Sequence, residues 1–504
     1  RARDEAQTRR AQAEGLIEFM LGDLRGKLEP VGRLDALDAV GARALRYYDS
    51  QDAHSLDADA LGRRSRALHM IGDLRDRRGD RKGALQAFQR ASETTAELLQ
   101  RNPGDPQRIY DQAQSVFWVG YAGDWQTGKS AAAERAFLEY QRLARQLVAK
   151  DPRNLAWQAE VAYSHANLGV MLLDQGRTRE AMTQFEMSRR VNEHRVAAQP
   201  SDLTAVLDLG QDYSWLSSAT LKALRIADSV RFRRHEIGLY TPILQRDPRN
   251  AVVLGRMLFA RVFLASALID NGDLVAASAE LSDARRLAQA ERRLEPDNTD
   301  WIQADAKAML LQAQVLGWQE QPQQGLAELA QVRPLLASLL ARDASTWAWK
   351  VELQEGLAQQ ESDLLRASSR RNDALRVSAA SVRRLRAVML DPQQQSKTRT
   401  WLALAEGRLA RLLDEDGHRT AALWHWRATA AALSAQAEKL DGESMSWLAR
   451  ANAELGRPDV AQSLRRRLSA AGYRSPDFTS DFTSDFTSAG EVAELPPATD
   501  GERR

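Results

Sequence analysis

Proline punctuates this chain at a nearly fixed interval: Pro106, Pro152, Pro200, Pro248 and Pro296, then Asp343 in the equivalent place, then Pro392. The steps are 46, 48, 48 and 48 residues, then 96 across the pair that straddles Asp343. Proline cannot continue a helix, so a periodic proline marks a periodic helix end. The chain must therefore fold as a row of like units. A unit of this length holds two helices of about 18–20 residues and two short turns, and it needs no strand. Counting about 100–200 residues per domain would instead divide the 504 residues into three globules.

Small residues recur near the same period at Gly72, Gly120, Gly169, Ser217, Ala265, Ala313, Ser362 and Ala410. Twelve residues after each stands another: Ala84, Ala132, Ala181, Ser229, Ala277, Gly325, Ala374 and Ala422. Helices approach closely only where side chains are short, so this double ladder marks the crossing of helix A with helix B in each hairpin. Ile71, Val119, Leu168, Leu216, Leu264 and Leu409 precede the first ladder and pack inward, with Gln312 and Glu361 as exceptions. Four residues after the second ladder, Phe88, Phe185, Leu281, Leu329 and Trp426 fill the groove toward the next hairpin, while Ala136, Arg233 and Ser378 break the pattern. Trp157 and Trp301, each 5 residues past its proline, and Trp349 and Trp447, placed similarly in their units, read as packing between repeats, with ligand stacking as the lesser reading.

These residues resemble the tetratricopeptide repeat, whose signature is a small residue in helix A, Ala twelve later, an aromatic four beyond, and Pro at the end. Leu68, Gly72, Ala84 and Phe88 carry it, as do Leu168, Gly169, Ala181 and Phe185. Against the usual unit of roughly 34 residues, each hairpin here is lengthened by about two turns. The resemblance covers about residues 60 to 470 and implies an all-α fold, a helical-hairpin solenoid of about eight and a half hairpins in a right-handed superhelix. A HEAT-like solenoid, with roughly 40–47 residues per unit, is the structural alternative.

The expected organisation is an N-terminal charged and amphipathic helix over 1–28, the solenoid over 29–475, and a low-complexity tail over 476–504. Asp-Phe-Thr-Ser is written three times in that tail, from Asp477, Asp481 and Asp485, and its composition predicts disorder. The chain starts at Arg1 rather than Met, which reads as a piece of something longer. Residues 14–24 and 28–35 resemble the region that joins a membrane or effector segment to the helical repeats of large bacterial signalling proteins. That resemblance implies a sensor half, tethered through a missing N-terminal segment and attached to the bacterial inner membrane.

Seventy Lys+Arg against 68 Asp+Glu leave a net charge of +2, which does not suit a chain that wraps nucleic acid. The absence of cysteine removes disulfides, thiolate metal sites and a Cys nucleophile. No uninterrupted apolar run reaches the 18 or so residues of a membrane span. The histidines His54, His69, His165, His194, His235, His418 and His425 show no ligand spacing, so no metal is expected, and Asp414, Glu415 and Asp416 read as a solvated turn. One segment, Gly123 to Gly128-Lys129-Ser130, fits the P-loop pattern, with 116–119 as its possible strand. In the 48-residue register it falls in a turn between helices A and B, where glycine and a polar residue are wanted anyway, so no cofactor is expected.

By the resemblance, the ligand lies on the concave wall formed by successive A helices. The positions implied are Asp73, Asp76 and Arg77; Tyr121, Asp124 and Trp125; then Asp174, Asp270, Asp363, Arg366 and Arg411. A basic or amphipathic peptide, or a protein bearing one, would suit that wall. The expected function is a non-catalytic binding scaffold. The alternatives are a nucleotide-binding enzyme using Lys129 and Ser130, and a spacer or oligomerisation arm.

Overall fold

The computed structural model describes residues 56–479, apart from 78–79, 126–129, 392–394 and 436–439, together with scattered positions between 8 and 48. Among the described residues there is no strand. Among the described residues from Ala58 to Ala470, eighteen α-helices follow one another in nine antiparallel pairs. The chain divides into two compact units, Arg1–Asp212 and Tyr213–Arg504.

The first unit holds the pairs α1 (Ala58–Arg77) with α2 (Arg81–Arg101), α3 (Pro106–Trp118) with α4 (Ser130–Lys150), and α5 (Leu155–Asp174) with α6 (Thr178–Ala198). Helix α7 (Leu203–Lys222) begins in it and ends in the second unit, where it is followed by α8 (Ile226–Arg246). The second unit continues with α9 (Ala251–Asp270) and α10 (Leu274–Leu294), α11 (Thr299–Trp318) and α12 (Pro322–Arg342), and α13 (Gln354–Ala367) and α14 (Arg371–Val388). It closes with α15 (Gln395–Glu415) and α16 (Arg419–Ser434), then α17 (Gly442–Glu454) and α18 (Pro458–Ala470).

The turns explain the period. After an A helix the chain takes a left-handed residue at Gly176, Leu224, Gly272, Glu320, Ser369, Gly417 and Gly456, with φ between 57° and 82°. Such a residue caps the helix by a six-to-one hydrogen bond, as from Arg177 N to Leu172 O at 2.9 Å. After a B helix, Asx side chains cap the next A helix: Asn154 accepts from Trp157 N at 3.1 Å, and Asn250 from Val253 N at 3.2 Å.

All eight residues of the first small ladder are buried. A Cβ on Gly72 would lie 2.5 Å from Phe88 Cε1, and one on Gly169 would lie 2.6 Å from Phe185 Cε1. The second ladder holds at seven of eight places. In the α3–α4 hairpin Ala133, rather than Ala132, is fully buried, and Phe137 four residues later fills the groove expected of Ala136. The cause is a π-helical stretch, Val119–Trp125, which adds a residue before the turn. Residues 116–119, read as a possible strand, are helical.

The expected last half-unit is a complete hairpin, α17 with α18, whose helices have 13 residues each. Its small pair, Ala449 and Ala461, keeps the spacing of twelve but arrives 39 residues after Ala410, which hid it from a 48-residue search. Helix α9 is long and apolar enough to cross a bilayer, despite Arg256 and Arg261. Its apolarity is spent on the core, where Leu254, Leu258, Val262 and Leu268 pack with Ala277 and Leu281 of α10 and Trp301 of α11.

At the N-terminal end Gln12–Ile17 is helical, with Ile17 buried and Leu16 and Phe19 exposed. The tail departs from the expected disorder at its start: Pro476–Thr479 form a helical turn and Phe478 is buried. Residues 480–504 lie outside the described residues.

Candidate functional site

In the first unit, Asp73 and Asp76 on α1 and Tyr121 in the π-helical stretch are half-buried, and Asp174 at the end of α5 is exposed. The side chains of Arg77, Asp124 and Trp125 lie outside the described residues, as do Gln126–Lys129 of the P-loop look-alike. Tyr121 belongs to an aromatic cluster, with its ring 5.8 Å from Phe117 and 6.0 Å from Trp118. Phe88 stacks on Trp118 at 5.2 Å, so these aromatics serve packing between hairpins.

The second unit brings three of the four remaining candidates together, and Asp270 stands apart from them. Asp363 and Arg366 on α13 and Arg411 on α15 line one cleft with Gln314, Gly317 and Trp318 of α11 and with Asp477. Asp363 receives Arg408 Nε at 2.9 Å and is also bonded to Arg411, while Arg408 Nη2 reaches Glu443 of α17 at 2.9 Å. Both guanidiniums stack on the indole of Trp447, each 5.1 Å from its centroid. Arg366 pairs outward with Glu415 at 3.2 Å.

Burial pushes the charges here against their solvation, and the pairs decide the outcome. Burial alone would raise the Asp363 carboxyl, but Arg408 and Arg411 hold it below the usual carboxylate range. Burial raises Glu443, and Arg408 opposes this only in part. Asp270, the last residue of α9, is pushed well up by burial and then by Asp441 and Glu443. Tyr473 is raised by burial, with Asp270 and Glu443 adding to it. The site is therefore rich in carboxylates on one side and anchored by two buried arginines on the other.

A second cavity of about 290 Å³ adjoins the cleft and shares Gln314 and Gln360 with it. Gln303, Lys307, Glu352, Gln359, Trp401 and Glu443 line it, a mixture of amides, charges and one aromatic from α11, the π-helical stretch Ala348–Leu353, α13, α15 and α17. Sequence reading missed Gln360, Arg408, Lys307 and Gln303 because it took only the last turns of each A helix. The signal was present: these residues continue the same helical stripe upstream, at three- and four-residue steps from Asp363, Arg411 and Gln314. Among the described residues no group of His, Asp and Glu could hold a metal ion. His425 is bonded to Glu406, and His165 lies 2.7 Å from Gln184 Oε1.

No protein-family model matches the chain, and no curated protein does. Solved structures match its fold. The apo form of RapI aligns over 84% of this chain and 100% of its own, with a TM-score of 0.54 and 9% identity. Aspartyl phosphate phosphatase F from Bacillus subtilis aligns over 88% of this chain and 98% of its own, with a TM-score of 0.45 and 12% identity. A tetratricopeptide repeat protein from Parabacteroides merdae aligns over 69% of this chain and 99% of its own, with a TM-score of 0.34 and 11% identity. The fold is a tetratricopeptide-like, all-α helical repeat.

Proposed function

We propose that this chain is a non-catalytic binding region of a larger signalling protein, which holds a protein or peptide on the A-helix face of residues 213–504. One observation carries this reading: that face already accommodates polypeptide. Tyr473–Thr479 meets the end of α9 through Arg474 and the end of α11 through Asp477, while Tyr473 and Phe478 are buried in a cluster with Met445 and Leu448 of α17. Beside this segment the 290 Å³ cavity offers amides, a lysine and Trp401, groups suited to backbone and side chains of a ligand strand.

The test is capture of a partner by the full chain, compared with Lys307→Glu and Trp401→Ala. Loss of capture in both, with helicity unchanged, supports the reading. Equal capture by all three would leave the face without a role and favour a spacer. The nucleotide alternative has its own measurement. Lys129→Ala should leave stability within about 0.5 kcal/mol of the parent, as at most surface positions. Micromolar ATP binding by the parent that vanishes in this variant would move the chain into the enzyme class.

A further inference from the structure

Successive hairpins place residues of one register in like surroundings, so a position that changes character in a single hairpin stands out. On the B helices of the second unit, the places three and six residues after the second-ladder residue hold Glu280 and Asp283 in α10, and Glu328 and Gln331 in α12. In α14 they hold Val377 and Ala380. The facing wall changes as well. Twelve and fifteen residues after its ladder residue, α10 has Gln289 and Arg292, whereas α12 has Ala337 and Leu340. Four places that are polar in the groove between α10 and α12 are thus apolar in the groove between α12 and α14. The groove that follows, between α14 and α16, returns to Arg386 and His425 at two of them.

These residues enclose a space of about 590 Å³. Leu336, Leu357 and Ala358 are its buried floor, Leu340, Val377 and Ala380 are half-buried along its sides, and Ala337 is exposed. Helix α13 turns Gly356, Gln359 and Gln360 toward the 290 Å³ cavity and Leu357, Ala358 and Glu361 toward this groove, so the two lie on opposite sides of it. The rim is basic. Helix α14 carries Arg371, Arg376, Arg383, Arg384 and Arg386 against Asp373 alone, and Arg333 of α12 stands across from it. The acids in reach are already engaged: Glu361 with Arg333 at 2.5 Å, buried Glu355 with Arg384 at 2.7 Å, and Asp373 with both Arg370 and Arg376. Arg383 is exposed and has no ion pair among the described residues.

We propose that the groove between α12 and α14 is a docking surface for an amphipathic helix of a partner protein, apolar along one face and acidic on its flanks. The walls are helices whose backbone groups bond internally, so they offer no edge for an extended strand. A docked helix needs none, because it satisfies its own backbone and presents side chains at i, i+3, i+4 and i+7. The walls from Arg333 to Leu340 and from Arg376 to Arg384 run for about 10–12 Å, the length of two helical turns. Charge selects the flanks. Carboxylates beside the apolar stripe would meet Arg383 and the half-answered Arg376 with charge-assisted hydrogen bonds, whereas lysines there would face like charge. This surface is on the B-helix side, away from the A-helix face, and gives the same hairpins a second binding side with a different chemistry.

The full chain is titrated, by fluorescence anisotropy, with a labelled synthetic helix of about 18 residues that has Leu at i, i+3, i+4 and i+7 and Glu on the flanks. A counterpart with Lys in place of every Glu is titrated alongside. The parent should bind the Glu helix at least tenfold more tightly than the Lys helix. Val377→Glu combined with Ala380→Gln, which restores the residues of α12, should weaken that binding at least tenfold at unchanged helicity. Equal binding of the two helices, or binding untouched by the paired substitution, overturns the proposal. If that variant fails to fold, Arg376→Glu with Arg383→Glu, both at exposed positions, decides: the preference for the Glu helix should vanish or reverse, and a retained preference overturns the proposal. Sedimentation tests the other occupants. A parent that dimerises while the Val377→Glu, Ala380→Gln variant stays monomeric gives the groove to a second copy of the chain. Binding to phosphatidylglycerol vesicles that the same variant loses gives it to a lipid surface. Either result overturns the proposal. Lys307→Glu should leave Glu-helix binding unchanged, so the two binding sides stand or fall separately. Loss of Glu-helix binding in Lys307→Glu would place the peptide on the A-helix face and overturn the proposal.

Discussion

Two glycines on helix interiors show how much a single methyl group means in different places. A Cβ on Gly169 would fall 2.6 Å from Phe185 Cε1 at the crossing of α5 and α6, whereas one on Gly238, on the exposed side of α8, meets nothing within 4 Å. Gly169→Ala should therefore destabilise by about 1–3 kcal/mol through overpacking. Gly238→Ala should stabilise by about 0.5–1 kcal/mol, because alanine restricts the unfolded chain at no steric cost. Urea unfolding of both variants checks the opposite signs. Two buried titratable groups of the first unit set opposing pH dependences. Burial pushes His69 down to about 4 from 6.5, so the unfolded chain takes a proton that the native one refuses, and stability is lost as pH falls through that window. Burial pushes Asp212 up to about 7 from 3.8, against the hydrogen bonds from Ser188 and Asn192. There the unfolded chain ionises first, and stability is lost as pH rises from about 4 to 7. Relative to the parent, His69→Gln should gain stability toward acid and Asp212→Asn toward neutral pH, in urea melts at a series of pH values. A variant whose difference from the parent is flat with pH would clear its residue of this role. The ladders were legible at this scale because glycine and alanine announce a crossing. His69 and Asp212 were not, since nothing in a helical pattern says which polar residue the next hairpin will cover.

At the scale of the element, the left-handed turn residue recurs at steps of 48, 48, 48, 49, 48 and 39, although three of the seven positions are not glycine. Leu224, Glu320 and Ser369 adopt φ near +60° because the hairpin on either side demands it. Non-glycine residues take up that conformation at a cost of about 1–2 kcal/mol. Leu224 recovers part of this by packing against the cluster that contains Trp426 and Trp447. Glu320 is exposed and recovers little, so Glu320→Gly should raise the stability by up to about 1 kcal/mol, the extra freedom of glycine in the unfolded chain offsetting the rest. A melting temperature at or below that of the parent would show that Glu320 holds its turn by other means. The same turns explain what sequence reading could and could not resolve. Prolines and small residues recur in the letters, so the hairpins and their order were legible. The one-residue shift at Val119–Trp125 and the short last hairpin change the spacing without changing the residue types, so a fixed period passes over both. Asp363 and Arg411 were singled out because they follow a ladder residue directly. Trp318 was not, because its role depends on a tail segment that composition alone assigns to disorder.

On the scale of the whole molecule, repeat arrays store their stability between neighbours, and an open array frays from its ends. The second unit has a contact that no nearest-neighbour scheme contains. Arg474 bonds to Asp270 across about two hundred residues, and Tyr473 seals the joint over Gly442. Helices α9 and α17 are thereby held by one strap. Gly442→Val, which thrusts a side chain into the Tyr473 ring, should lower the melting temperature and split a single transition into two. Calorimetry that still shows one transition, at the parental temperature, would mean that the strap is ornamental. The bond between Arg474 and Asp270 has a further consequence, for kinetics. Loop closure over that distance adds little extra entropy per added residue, but it can form only after the intervening hairpins have set their rise. The C-terminal segment is therefore the last part of this unit to settle, and it acts as a latch that reads whether every repeat before it has folded to the correct length.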